Sequence, residues 1–243
     1  MDLKIRDVAE LLNVSETTIR RWLAEGKIPA YRLHHQYRFS RIEIENWMLS
    51  CRLQNETGNF FPSTEEQIYP PKKENKEDPG RKGMQQFSLF RAIHRGGIFT
   101  DMQSTKKEDL IKETMDRVSN DLGMDPLVMT ELLLDREKLM PTALNNGIAV
   151  PHTRDLVLEG PTDIVVVVFP KKPIDWGALD ENPVYALFFL FACDDKRHLH
   201  LLAKLAHLSS NEEVLELLRS RPEKKELLEY IKEWESHVGG PTP

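Results

Sequence analysis

The sequence predicts a two-domain protein in which a small, mostly helical domain precedes an α/β domain. The length of 243 residues is sufficient for two compact domains. Between them, residues 53–86 are polar and contain prolines at positions 62, 70, 71 and 79. The segment KKENKEDPGRKG (72–83) has too little apolar surface to offset the entropy lost on ordering. We therefore expect domains at 1–52 and 87–238, joined by a flexible linker at 53–86, with a tail at 239–243.

The distribution of charge favours a nucleic-acid contact in the first domain. The whole chain carries a formal net charge of −6, which by itself argues against nucleic acid as a partner. Residues 20–41, however, contain six basic side chains and one acidic side chain, a local net of +5, whereas residues 87–243 contain 19 basic and 26 acidic side chains, a net of −7. A basic patch on an otherwise acidic protein is the pattern expected of a local nucleic-acid contact.

The cysteine content and the lengths of the apolar runs predict the cellular compartment of the protein. Cys51 and Cys193 lie far apart without metal-ligand spacing, which favours a reducing cytoplasm. The segment MDLKIRDVAELLNV (1–14) lacks the apolar core of a signal peptide. The longest apolar runs, 164–169 and 186–193, are too short to span a bilayer. We expect a cytoplasmic protein with no metal, no cofactor and no membrane insertion.

The first fifty residues predict three short helices and a basic hairpin. The segment IRDVAELL (5–12) has apolar residues at helical spacing, and Ser15 is a good N-cap for a second helix, ETTIRRWLAEG, which Gly26 ends. Next, IPAYRLHHQYRF (28–39) predicts two β arms around His34, His35 and Gln36. A third helix, RIEIENWM (41–48), is expected to pack Ile42, Ile44 and Trp47 on the others. This is the layout of a winged helix-turn-helix reader of DNA.

The N-terminal segment also resembles the excisionase and MerR-like family of helix-turn-helix proteins. The resemblance covers residues 2–50 and rests on SETTIRRW (15–22) and RLHHQYRF (32–39), with His34 standing where the family commonly has glycine. It implies that Thr17, Thr18 and Arg21, with Arg20 beside them, approach bases or backbone in the major groove. It also implies that Gln36 and Arg38 contact phosphate or the minor groove. The alternative is a three-helix protein-interaction module with a solvated basic face.

DNA reading by such a module has a physical basis and a consequence for assembly. Basic side chains supply the salt-dependent attraction to phosphate, and small polar side chains tolerate close approach to the duplex. Two half-site readers are normally required for useful affinity. We therefore expect a homodimer that binds double-stranded DNA.

The second domain predicts alternating helices and strands around a histidine motif. Helical patterns cover 109–122 and 126–139, strand-like runs cover 164–169 and 185–192, a helix begins near His198, and two amphipathic helices lie within 212–235. The segment NNGIAVPHTR (145–154) places His152 directly after an apolar run and a proline. Neutral imidazole is nucleophilic near physiological pH, so a histidine in this setting can accept a phosphoryl group.

This domain resembles the enzyme IIA domains of the bacterial phosphotransferase system, of the fructose/mannitol type that includes the nitrogen-regulatory IIA proteins. The resemblance covers about 87–238 and rests on LLLDREKLMPTALNNGIAVPHTR (132–154) and KRHLHLLAKLAHLSSNEEVLELL (196–218). It implies an α/β fold with a central mixed sheet flanked by helices. One departure is Thr153, which follows His152 where the family more often has glycine or alanine.

The resemblance also implies the roles of three residues. His152 would accept phosphate from the phosphocarrier protein HPr, His198 would hydrogen-bond the phosphoryl group, and Arg136 would lie over the site. Transfer of a phosphoryl group spreads charge over its oxygens, and pre-placed donors such as a guanidinium fit that need. In the alternative interpretation, His152 is a capped loop histidine and His198 caps its helix.

Three functional hypotheses follow from the sequence. The first is a transcriptional regulator whose IIA-like domain takes phosphate on His152 and so tunes DNA binding or partner choice. The second is a phosphocarrier that passes phosphate to a sugar-specific IIB domain. The third is a IIA-shaped docking module that is not phosphorylated. We favour the first, because a carrier has no need of a DNA reader whereas a regulator gains an input.

Overall fold

A computed structural model of the chain describes residues 2–12, 14–33, 36–51, 87–153 and 162–238. It confirms a small helical domain followed by an α/β domain. The predicted linker at 53–86, the tail at 239–243 and the wing tip at His34 and His35 lie outside the described residues. None of the helices in these ranges combines the length and the apolar character needed to cross a bilayer.

The first domain consists of three helices and a small antiparallel sheet. In chain order its elements are β1 (Asp2–Leu3), α1 (Ile5–Leu11), α2 (Glu16–Ala24), β2 (Tyr31–Leu33), β3 (Gln36–Ser40) and α3 (Arg41–Cys51), with strand order β1-β3-β2. The cap prediction is confirmed, because the Ser15 hydroxyl accepts a hydrogen bond from the Thr18 amide at 3.1 Å. Gly26, two residues after α2, has φ +67°, as expected of a glycine that ends a helix.

The predicted buried face of α3 is wrong at one position. Ile44 is buried as expected, but Ile42 is 47% exposed and Met48 is buried instead. Positions 42 and 44 lie roughly 200° apart around a helix, so both cannot face the same core, whereas positions 44 and 48 lie one turn apart. Glu45, next to Ile44, is also fully buried.

The second domain is built around a four-stranded mixed sheet. Its elements are α4 (Ser88–Gly96), β4 (Ile98–Met102), α5 (Lys107–Leu122), α6 (Pro126–Leu139), β5 (Ile148–Ala149), β6 (Ile164–Pro170), β7 (Ala186–Phe191), α7 (Asp195–Leu208), α8 (Glu212–Arg219) and α9 (Lys224–Val238). The strand order is β4-β6-β7-β5, in which β6 and β7 are antiparallel and both outer pairs are parallel. This confirms the expected mixed sheet.

Helices cover both faces of this sheet, so its central strands are apolar throughout. Val165 and Val167 of β6 belong to an apolar cluster with Leu89 of α4, whereas Val166 belongs to a second cluster with Leu133 of α6. Successive strand residues point to opposite faces, so a strand buried on both sides has a continuous hydrophobic run. This burial explains the sequence IVVVVF.

The first domain lies against the beginning of α7. Both α1 and α3 contact this helix, and the apolar cluster on its side of the sheet continues into the first domain. Two ion pairs join them: Arg41 Nη1 lies 2.6 Å from Asp195 Oδ1, and Lys196 Nζ lies 3.3 Å from Glu10 Oε2. This arrangement brings α3 close to the loop that carries His152.

Candidate functional site

The loop around β5 holds the backbone of His152 against the edge of the sheet. Val150 donates its amide hydrogen to Thr142 O at 3.0 Å, and the Leu190 amide of β7 donates to Pro151 O at 2.9 Å. Gly147 makes the turn before β5 with φ +75°, a conformation that glycine adopts without steric cost. Main-chain hydrogen bonds at the two preceding residues therefore fix the position of His152.

The imidazole of His152 is fully buried and has a defined orientation. Its Nδ1 lies 2.7 Å from Val150 O. A carbonyl oxygen only accepts hydrogen bonds, so Nδ1 is the donor and carries a proton. Nε2 is therefore the atom that faces the rest of the site, and in the neutral ring it holds the lone pair.

His198 lies beside His152, in the first turn of α7. The two rings are 5.1 Å apart between centroids and meet edge to face at 65°. Capping is not its role, because the Asp194 side chain caps α7 by accepting from the Arg197 amide at 2.8 Å. Within the described residues, the buried Nε2 of His198 makes no hydrogen bond. Burial, and then positive charge on His152, lower the pKa of His198 to about 3, so its ring is neutral at physiological pH.

Arg136 comes from the last turn of α6 and is buried, with 3% of its surface exposed. Its Nη1 donates to Met140 O at 2.8 Å, which fixes the plane of the guanidinium. Its Nη2 donates to Glu45 Oε1 at 3.1 Å. The structure thus brings together His152, His198 and Arg136, the three residues that the sequence placed in one site.

Glu137, the neighbour of Arg136, holds the loop that precedes β5. Its carboxylate accepts hydrogen bonds from the Thr142 hydroxyl and, at 3.2 Å and 3.3 Å, from the Thr142 amide. Lys107 Nζ lies 3.6 Å from Oε2 of the same carboxylate. Since Thr142 O binds the Val150 amide, Glu137 supports His152 indirectly.

Glu45 is a residue of this site that the sequence did not indicate. It extends from α3 of the first domain, is fully buried, and places Oε1 2.8 Å from His152 Nε2. Burial raises the pKa of Glu45, but the hydrogen bond from His152 and the surrounding positive charge outweigh burial and hold it well below its ordinary value. No local signal in the sequence distinguishes Glu45 from Glu43, which lies on the same helix and is exposed.

Three side chains of this site are spaced as the ligands of a cation would be, but the positive charge next to them does not suit a cation. Among the described residues, ligand atoms of Glu45, His152 and His198 lie within 4.8 Å of one another. The Arg136 guanidinium, 3.1 Å from Glu45 Oε1, already supplies a fixed positive charge to the shared carboxylate. A divalent cation there would face that charge at short range. The arrangement favours an anion rather than a metal.

Most of the candidate DNA contacts are accessible on the first domain. Thr17, Arg20, Arg21 and Gln36 are exposed. The hydroxyls of Thr18 and Ser15 are hydrogen-bonded at 2.9 Å, so Thr18 also helps to cap α2. Arg38 Nη2 donates to Gln36 Oε1 at 2.8 Å, which orders these two wing side chains together.

The mixed sheet, the paired histidines and the buried arginine define a IIA-type domain of the phosphotransferase system, carried here on the same chain as a helix-turn-helix domain. The chain belongs to the family of the phosphoenolpyruvate-dependent sugar phosphotransferase system, EIIA 2, whose model matches residues 92–234. A helix-turn-helix domain model matches residues 3–52.

Curated relatives and a solved structure agree with this assignment. The chain is 33% identical over 151 residues to a nitrogen regulatory protein of Escherichia coli (strain K12), covering 60% of this chain and 91% of the relative. It is 37% identical over 116 residues to that of Klebsiella oxytoca, covering 46% and 70%. The crystal structure of nitrogen regulatory protein IIA-Ntr from Neisseria meningitidis matches with a TM-score of 0.51 and 26% identity, covering 59% of this chain and 94% of that one.

Proposed function

We propose that this protein is a DNA-binding regulator whose IIA domain accepts a phosphoryl group on His152 from the phosphocarrier HPr, so that the state of the phosphotransferase system controls transcription. One observation carries the proposal. An anionic oxygen, Oε1 of Glu45, lies within hydrogen-bond distance of both His152 Nε2 (2.8 Å) and Arg136 Nη2 (3.1 Å). The site therefore accommodates an oxyanion against the nucleophilic nitrogen.

The side chains of the site would support phosphoryl transfer once the Glu45 carboxylate has moved away from His152 Nε2. With its proton on Nδ1, His152 uses the Nε2 lone pair to form a bond to phosphorus. The nitrogen–phosphorus bond of the phosphorylated donor breaks at the same time, and its electron pair returns to the donor imidazole. Arg136 and the neutral His198 would donate hydrogen bonds to the phosphoryl oxygens as charge develops on them.

The first domain supplies the output in this proposal. Arg20, Arg21 and Arg38 would provide the attraction to phosphate, while Thr17, Thr18 and Gln36 approach the duplex. The reader would span 1–52, the linker 53–86 and the IIA domain 87–238, with a homodimer on DNA. The similarity to relatives named as nitrogen regulatory proteins favours a regulatory role for this chain rather than a role in sugar transport.

The first experiment measures phosphoryl transfer. The full chain is incubated with phosphoenolpyruvate, enzyme I and HPr, and its intact mass is recorded for wild type, His152→Ala and His237→Ala. His237 is exposed and remote in sequence, so it is a matched histidine control. We expect one acid-labile adduct on wild type and His237→Ala and none on His152→Ala. An active donor system that leaves wild type unmodified would refute the proposal.

A further inference from the structure

Glu45 links the two domains at the phosphoryl-acceptor site. It belongs to the helix-turn-helix domain, yet its carboxylate contacts His152 and Arg136 of the IIA domain and lies 3.9 Å from His198 Nε2. All four side chains are at most 5% exposed on their side-chain atoms. The first domain thus covers the site and places a negative group within it.

In this arrangement His152 cannot react. Its Nδ1 faces the Val150 carbonyl and its Nε2 faces the Glu45 carboxylate, and both of these oxygens only accept hydrogen bonds. When both bonds form, both ring nitrogens carry protons, so Nε2 has no lone pair with which to attack phosphorus. A phosphocarrier also has no path to a ring that is fully buried.

We propose that Glu45 is an internal occupant of the phosphoryl site, so that docking of the helix-turn-helix domain and phosphorylation of His152 exclude each other. This inference rests on the proposed function of His152. A phosphoryl group on Nε2 would occupy the space of the Glu45 carboxylate and bring close to two negative charges against it. Each event disfavours the other by the same factor, because coupling between two sites is reciprocal.

The remaining interdomain contacts support docking without closing the site. Arg41 pairs with Asp195, and Lys196 pairs with Glu10 through side chains that are about half exposed (57% and 47%). Among the candidate DNA contacts, Thr17, Arg20, Arg21 and Gln36 stay exposed in the docked arrangement. The direct effect of docking therefore falls on His152 and not on the reading face.

Removing the Glu45 charge tests the exclusion. The rate of phosphorylation by phosphorylated HPr is measured on the full chain for wild type, Glu45→Gln, Glu45→Ala and Glu43→Gln. The last variant makes the same chemical change at an exposed position of α3. The rate scales with the fraction of molecules in which the site is open, so we expect the Glu45 variants to react about tenfold faster or more. Glu43→Gln should react like wild type.

A reversible cross-link tests docking without altering the site. Glu10→Cys and Lys196→Cys place two thiols at an interdomain ion pair of 3.3 Å, in a background of Cys51→Ser and Cys193→Ser. The two are joined by a short bis-methanethiosulfonate reagent that a reductant cleaves. We expect the cross-linked chain to resist phosphorylation and the reduced chain to accept it.

The outcomes separate this inference from the proposed function. Equal rates for wild type and the Glu45 variants, or equal rates before and after reduction, would overturn the exclusion and leave His152 as an acceptor. Failure of the cross-link while both thiols react with a monofunctional reagent would overturn docking. Absence of phosphate on every variant, with an active donor, would overturn the proposed function and the inference with it.

Discussion

Replacing Glu137 by Gln should destabilise the second domain by about 2–4 kcal/mol. The Glu137 carboxylate is 5% exposed and accepts hydrogen bonds from both the amide and the hydroxyl of Thr142. Hydrogen bonds to a charged group contribute about 1.5–3 kcal/mol each and neutral ones about 1 kcal/mol, so neutralisation costs roughly 1 kcal/mol at each bond. Lys107, with 19% of its side chain exposed, also loses its counter-charge at 3.6 Å.

The measurement is thermal unfolding, with a matched variant on the same helix. A loss of 2–4 kcal/mol corresponds to a fall in Tm of about 5–15 °C in a domain of this size. Asp135→Asn makes the same chemical change at a carboxylate that is 70% exposed and paired with Lys138 at 2.8 Å. Exposed pairs contribute about 0–1 kcal/mol, so this Tm should scarcely move. Equal shifts in the two variants would show that the bonds to Thr142 do not support the loop.

The same substitution should also affect the site. The Thr142 carbonyl accepts from the Val150 amide, and the Val150 carbonyl orients the His152 ring. Greater mobility of Thr142 would therefore leave the ring of His152, the proposed acceptor, less well oriented. The rate of phosphorylation of Glu137→Gln should then fall at temperatures where the domain is still folded. If Glu137→Gln is less stable but is phosphorylated at the wild-type rate, Glu137 stabilises the domain without orienting His152.

Three further predictions concern the reader, the turn and the pH dependence. Arg21→Ala should weaken DNA binding and reduce the slope of log affinity against log salt by about 1, and an unchanged slope would remove Arg21 from the interface. Gly147→Ala should lower Tm more than Gly123→Ala, although both have positive φ, because the new Cβ would lie 2.6 Å from the Tyr185 ring at position 147 and meets nothing within 4 Å at position 123. Because folding lowers the pKa of His198, this side chain is protonated in the unfolded chain at a higher pH than in the folded protein. Stability should therefore fall as pH decreases from about 6.5 towards 3, and His198→Gln should flatten that dependence.

The local structure could be predicted from the sequence, because caps, turns and strand burial depend on residues that are neighbours in the chain. Ser15 and Gly26 delimit α2 through a side-chain cap and a left-handed turn, and both are recognisable from residue type and spacing. The run IVVVVF identified a strand buried on both faces. The histidine motif likewise indicated His152, since the residues that make its turn and strand are adjacent in the chain.

Which distant residues complete the site became known only from the folded arrangement of the helices and strands. Arg136, His152 and His198 meet because α6, the β5 loop and α7 converge at one edge of the sheet, and the sequence suggested this only through resemblance to a family. In α3, residue type favoured Ile42 for the core, and nothing in the sequence gave a reason to bury Glu45. Hydrophobic periodicity describes one buried face of a helix, whereas α3 packs on its own domain and also contacts the second. The carboxylate of Glu45, buried at that second contact, is stabilised by Arg136 and His152, which lie 91 and 107 positions away and which no local pattern encodes.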